Sequence, residues 1–159
     1  RRPGNENSRI PHFLYIDEFP DFICKSTEAI FTMYRKYKVA TTISAQNLSQ
    51  LETAEIKQNY KSTILSNCAN KIFTGNGDID ELEWWSKEFG TKREWSYKND
   101  MHMDTMKYDS KYGSVEWKFV LYFKPGKLQT LPAKGCAYKI RGSNGKPMVR
   151  TRSFKLSRI

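Results

Sequence analysis

One short run constrains this chain more than any other: His12-Phe13-Leu14-Tyr15-Ile16-Asp17-Glu18-Phe19 is almost wholly apolar and then stops on two adjacent carboxylates. An apolar stretch of that length fits a strand of a parallel sheet, buried on both faces by crossover helices. Such a strand would present Asp17 and Glu18 at its C-terminal tip, where open α/β sheets bind ligands. In a nucleotide hydrolase two carboxylates so placed divide the work. The first helps to hold Mg2+, often through water, and the second polarises the attacking water. That is the layout of a Walker B site. An ordinary strand end with exposed carboxylates has the same local sequence, so the residues that follow have to decide between the two.

They continue in an α/β rhythm. Residues 10–16 read as the first strand, and Pro20 breaks whatever follows Phe19. A helix is predicted from Ser26 or Thr27, with Glu28 in its first turn and Arg35, Lys36 and Lys38 in its last, matching the dipole at both ends. Ile30, Met33, Tyr34 and Tyr37 recur on it at helical spacing. Val39-Ala40-Thr41-Thr42-Ile43-Ser44 is β-branched and uncharged, a second buried strand that ends just before Gln46. Strand, crossover helix and strand make a βαβ unit, parallel and right-handed. A helix over 58–67 would carry Tyr60, Ile64, Leu65 and Cys68 on one side, with a third strand over 71–74. After the turn Gly75-Asn76-Gly77, Asp78 is a predicted N-cap with Glu81 completing a capping box. Leu82, Trp85 and Phe89 form the inner stripe of that helix, and Gly90 its C-cap.

Beyond Gly90 the character changes. Residues 96–113 read as a polar loop; Met101-His102-Met103-Asp104 within it has the donors of a soft metal site but is assigned no chemistry. Val115, Trp117, Phe119, Leu121 and Phe123 alternate, which predicts a half-buried strand. Strands over 136–141 and 148–156 flank Asn144-Gly145, a hairpin signal. The expected class is therefore α/β, a partial parallel sheet with flanking helices followed by C-terminal antiparallel strands, divided as 1–95, 96–113 and 114–159.

Composition narrows the function. A length of 159 residues with 38% hydrophobic and 14% aromatic side chains fits a folded domain with a core rather than a disordered segment. No run approaches the roughly 18 apolar residues of a membrane span, and no secretory leader opens the chain. Cys24, Cys68 and Cys136 are far apart with only His12 and His102 to assist them, which argues for reduced thiols over a zinc site or disulfides. The net charge of +10 is uneven. Residues 1–90 carry 11 basic and 12 acidic side chains, net −1, whereas 91–159 carry 16 and 5, net +11. After Glu116 no acidic side chain follows. Such a stretch suits phosphate contacts, an acidic partner or an anionic surface, or is a solvated positive face.

A Walker B site needs a phosphate loop, and G-x-x-x-x-G-K-[ST] is absent. Gly142-Ser143-Asn144-Gly145-Lys146-Pro147 has the wrong spacing and sits at a hairpin turn. If this is a nucleotide hydrolase, its phosphate loop is expected on a segment upstream of Arg1. The run from Phe13 to Phe19, then Arg35, then Ser44-Ala45-Gln46-Asn47-Leu48-Ser49-Gln50-Leu51, then Ile64-Leu65-Ser66-Asn67-Cys68 and Lys71-Ile72-Phe73 resembles the C-terminal half of the motor domain of the type IV coupling proteins. These are the TraG/TraD-like DNA-transfer ATPases of conjugation, hexameric motors of RecA-like fold. The resemblance covers 13–90 and resumes at Leu131-Pro132 and the following hairpin.

Carried over, the resemblance implies ATP and Mg2+ as cofactors, Asp17 as the Mg2+-associated carboxylate and Glu18 as the residue that polarises water. It implies Gln46 as the γ-phosphate sensor and Arg35 as a finger reaching a neighbouring subunit of a homo-hexamer. An amide suits a sensor because it donates to phosphate and accepts from water without titrating. Arg35 equally fits a C-terminal helix cation, and Gln46 a polar cap on the next short helix. Where the family often shows a small residue after the acidic pair and a glycine before the sensor strand, this chain has Pro20 and Lys38. The implied partners are single-stranded DNA, a relaxase and a type IV secretion channel, at the cytoplasmic face of a bacterial membrane. Two alternatives stay open: a pilus-assembly secretion ATPase with the same Asp-Glu and Gln positions, and a non-catalytic module that binds DNA or an acidic partner.

Overall fold

The two strands expected to form the βαβ unit do pair in parallel. In the computed structural model, which describes residues 8–24, 27, 30–31, 33–52, 60–98, 114–142 and 144–153, β1 (His12–Ile16) lies beside β2 (Val39–Ile43). The register sets His12 against Val39 and Ile16 against Ile43. Neither strand contains Lys, Arg, Asp or Glu, and the pair is rich in β-branched and aromatic side chains, which suit a pleated surface. Of the connection, Ile30 and Phe31 are helical and Tyr34–Tyr37 forms a 3-10 turn; residues 25–26, 28–29 and 32 lie outside the described residues.

Two expectations about this region need correction. The strand is shorter than 10–16, and it is not buried on both faces: Phe13 and Tyr15 remain 70% and 74% exposed, while Leu14 and Ile16 are half-buried. A parallel strand is buried on both sides only where helices cover both. Pro20, expected as a breaker, sits in a 3-10 turn, Phe19–Phe22, at a first-turn position where a missing N–H costs nothing.

The chain divides into two compact units, residues 1–71 with 140–146 and residues 72–139 with 147–159. In the first, Phe19, Leu48, Leu51, Tyr60 and Ile64 are buried. Phe19 is fully enclosed and meets Phe31 edge to face at 5.5 Å. Tyr60 and Ile64 both come from α1 (Tyr60–Asn67), one turn apart on one face.

The second unit is built around α2 (Ile79–Phe89). The Asp78 carboxylate accepts the Glu81 N–H at 2.7 Å, the N-cap that the sequence predicts, and Gly90 closes the helix at φ +83. Leu82, Trp85 and Phe89 are buried at i, i+3 and i+7. Trp85 stacks on Phe89 at 5.6 Å and lies 5.2 Å from Phe73, and Phe89 meets Phe123 edge-on at 5.4 Å. Each buried aromatic contributes about 1.5–3 kcal/mol through area alone. Lys139 donates to the Glu88 carboxylate at 3.0 Å and to the Glu88 carbonyl at 2.6 Å. A short helix, α3 (Pro125–Gln129), buries Leu128.

Strands β3 (Lys71–Phe73), β6 (Gly135–Arg141) and β7 (Pro147–Ser153) form one sheet with β6 in the middle. The expected hairpin joins β6 to β7, with Gly145 at φ +76. Residues 154–156, expected to extend the last strand, lie outside the described residues. A strand that the sequence did not announce, β4 (Thr91–Lys98), pairs antiparallel with β5 (Ser114–Leu121). Ser96 to Lys98, assigned to a loop, therefore continue a strand; residues 99–113 lie outside the described residues. The strand expected to be half-buried ends at Leu121 and is more open, with Trp117 and Phe119 at 49% and 67% exposure, while Phe123 beyond it is buried; Trp95 on β4 is 55% exposed. Among the described residues no helix is long and apolar enough to cross a membrane.

Candidate functional site

The register of β1 and β2 decides which side chains can meet. With Ile16 opposite Ile43, the next residue on each strand is Asp17 and Ser44, so the acid pair and the segment that carries Gln46 emerge side by side. The two strands stay joined past their ends: Ser44 N–H donates to the Ile16 carbonyl at 3.0 Å, and Phe19 N–H donates to the Ser44 carbonyl at 2.9 Å. The Ser44 hydroxyl donates to Asp17 Oδ1. It also accepts the Glu18 N–H at 3.2 Å, while the same N–H lies 3.1 Å from Asp17 Oδ1.

Glu18 holds φ 48 and ψ 46, the left-handed region that a glutamate rarely visits. A strained backbone of this kind persists where neighbours over-determine it, and such positions cluster at functional sites. Here the neighbours are Ser44 on one side and fully buried Phe19 on the other. The Glu18 carboxylate faces Gln46: the Gln46 amide nitrogen stands 3.5 Å from Glu18 Oε1, at the outer limit of a hydrogen bond.

Asn47 caps the turn that follows. Its Oδ1 accepts from Gln50 N–H at 3.0 Å and from the Ser49 hydroxyl at 2.7 Å, ahead of the 3-10 turn Ser49–Leu51. The Gln46 side chain is thus turned to Glu18 while Asn47 does the capping. Gln50 Oε1 in turn accepts the backbone N–H groups of Gln46 at 3.2 Å and Asn47 at 3.4 Å. Glu18, Pro20, Asp21, Gln46 and Gln50 line a cleft of about 60 Å³. That volume holds a few waters. It is far below the roughly 300 Å³ at which small-molecule sites begin, so this cleft alone does not enclose a small molecule.

The structure therefore brings Asp17, Glu18 and Gln46 together. Arg35 lies in the 3-10 turn Tyr34–Tyr37, and its side chain is outside the described residues. Sequence reasoning missed Ser44, Asp21 and Gln50. Asp21 and Gln50 carried only their closeness to assigned residues as a signal, and the contact of Ser44 with Asp17 spans 27 residues. The donor set fits a hydrated Mg2+, which takes one or two carboxylates and completes its shell with water and phosphate oxygens. Among the described residues no group of three His, Cys, Asp or Glu forms a self-sufficient cation cage.

A family model described as the TraM recognition site of TraD and TraG matches residues 11–121. No curated protein matches the chain. Among solved structures, it is similar to the bacterial conjugative coupling protein TrwBdeltaN70 in its unbound monoclinic form, with a TM-score of 0.74 and 16% identity. It is also similar to the plasmid coupling protein TrwB in complex with the non-hydrolysable GTP analogue GDPNP, at 0.67 and 16%. Each match covers 96% of this chain and 33% of the other, so the chain spans about a third of the length of these relatives. The likeness bears out the expected α/β class, a partial parallel sheet joined to antiparallel strands.

Proposed function

The chain belongs to the TraG/TraD-like coupling protein family, and from that premise we propose that it supplies the water-activating half of an ATP site in a DNA-translocating motor. The observation that carries the reading is the meeting of Asp17, Glu18 and Gln46 at the neighbouring tips of parallel β1 and β2. Asp17 would hold Mg2+ through water while its Oδ1 accepts the Ser44 hydroxyl. A Mg2+ ion bound there would supply neutralisation of the phosphate charge. Glu18 orients and polarises the attacking water. Gln46, within reach of the Glu18 carboxylate, reports the γ-phosphate to the sensor segment. Arg35 is assigned to the nucleotide of a neighbouring subunit in a homo-hexamer, where such a finger contributes roughly 10³-fold or more in rate.

The phosphate loop has to come from outside these 159 residues, which contain no G-x-x-x-x-G-K-[ST]. Consistent with that, the cleft is too small for a nucleotide, and TrwB, of similar fold, has been captured with a nucleoside triphosphate analogue. The proposed cargo is single-stranded DNA with its relaxase, passed to a type IV secretion channel at the cytoplasmic face of a bacterial membrane. The description of the matching family adds a TraM-type protein as a partner.

Glu18→Gln in the coupling protein that carries this chain is the test. Removing a general base costs about 10²–10⁴ in turnover, so kcat should fall at least a hundredfold with nucleotide binding retained. Unchanged turnover would remove Glu18 from the mechanism. The 159-residue chain alone should hydrolyse no ATP.

A further inference from the structure

We propose that Ser44 is a positioning residue that sets the geometry of the acid pair and locks it to the sensor glutamine. The inference rests on the reading of Asp17, Glu18 and Gln46 given above.

Ser44 engages residues 16 to 19 through its backbone and its side chain alike. Its N–H and carbonyl engage Ile16 and Phe19, and its hydroxyl donates to Asp17 and accepts from Glu18. A hydroxyl has one proton to give. Given to Asp17, it fixes the polarity of the pair: Asp17 Oδ1 accepts, and Ser44 Oγ keeps a lone pair for the Glu18 N–H. Two consequences follow. With Oδ1 occupied, the rotation of the Asp17 carboxylate is set and Oδ2 becomes the oxygen available to a hydrated cation. The Glu18 N–H, held between Asp17 Oδ1 and Ser44 Oγ, keeps Glu18 in its left-handed conformation, and that backbone orientation sends its carboxylate to Gln46.

Gln46 lies only two residues beyond Ser44 on the same segment. A displacement of Gln46 therefore pulls on Ser44, and through it on both acids at once. Partners of this kind, one step removed from the metal or the water, are worth about 10–100-fold in affinity or rate when removed.

The test compares Ser44→Ala, Ser44→Thr and Ser44→Val in the coupling protein, with Glu18→Gln beside them. Threonine keeps the hydroxyl; valine has its shape without it. Expected are a kcat lowered about tenfold or more in the Ala and Val variants, a nucleotide KM little changed, and a higher Mg2+ concentration at half-maximal rate. Thr should restore the native values. In the 159-residue chain without nucleotide, Ala and Val should shift the Glu18 and Gln46 amide resonances, and Thr should not.

The positioning role is overturned if Ala or Val leaves kcat and Mg2+ dependence native, if Thr is as impaired as Val, or if Ala and Val fail to fold while Thr folds. If Glu18→Gln leaves turnover unchanged, the proposed function fails instead. The amide shifts then still decide whether Ser44 fixes the backbone of Glu18.

Discussion

Lys38 precedes β2 at φ +53, a conformation in which its Cβ crowds the backbone. The chain is forced into it because the Lys38 carbonyl accepts His12 N–H at 2.8 Å, the first rung of the β1–β2 ladder. A non-glycine residue in the left-handed region costs about 1–2 kcal/mol. Glycine relieves that cost but adds about 0.5–1 kcal/mol of backbone freedom to the unfolded chain. Lys38→Gly should therefore stabilise the chain by about 0.5–1 kcal/mol, or about 1–4 °C in Tm for a domain of this size. Urea denaturation is the assay, read as a higher midpoint at unchanged slope. Lys38→Ala separates the effect from loss of the side chain, since it keeps the Cβ and should gain nothing; Lys38→Val should be worse than either. The strain argument is refuted if the glycine variant is less stable than the parent, or if alanine matches glycine.

Asp78→Ala should destabilise α2 by about 1 kcal/mol, with Asp78→Asn recovering most of it, as thermal melts would show. If alanine were neutral, the cap would carry no energy. Burial pushes the Cys68 thiol above its ordinary value, and Lys71 draws it part of the way back. The folded thiol thus titrates above the unfolded one, so its contribution is complete below the unfolded value of about 8.5 and is lost as pH rises through the folded value. Cys68→Ala should accordingly show a shallower fall in stability on the alkaline side, and in the native chain exposed Cys24 should alkylate well before Cys68 at pH 8.

Features that depend on near neighbours were legible from sequence. The Asp78 cap, the Gly90 stop, the stripe of Leu82, Trp85 and Phe89, and the Asn144-Gly145 turn each need only a few residues to be specified, and each stands where the pattern put it. The parallel pairing of β1 with β2 was also readable, because handedness and chain length leave one arrangement. What pairing alone creates was not. Thr91–Lys98 reads as polar, and it is a strand because β5 completes its ladder. Trp117 and Phe119 alternate as core residues do, yet alternation marks a face without saying what covers it. The site divides the same way. Asp17, Glu18 and Gln46 announce themselves by position at strand ends, whereas Ser44 matters through a register that no short window contains.

Trp95 and Trp117 face each other across β4 and β5, with ring centroids 3.4 Å apart and planes inclined by 34°. Two indoles so close and so inclined couple their electronic transitions, giving paired bands of opposite sign in circular dichroism. Since a one-residue slip would carry Trp95 to the other side of the hairpin, the signal exists only in the native register. The molecule thus contains an intrinsic chiroptical probe of whether these two strands have zipped correctly.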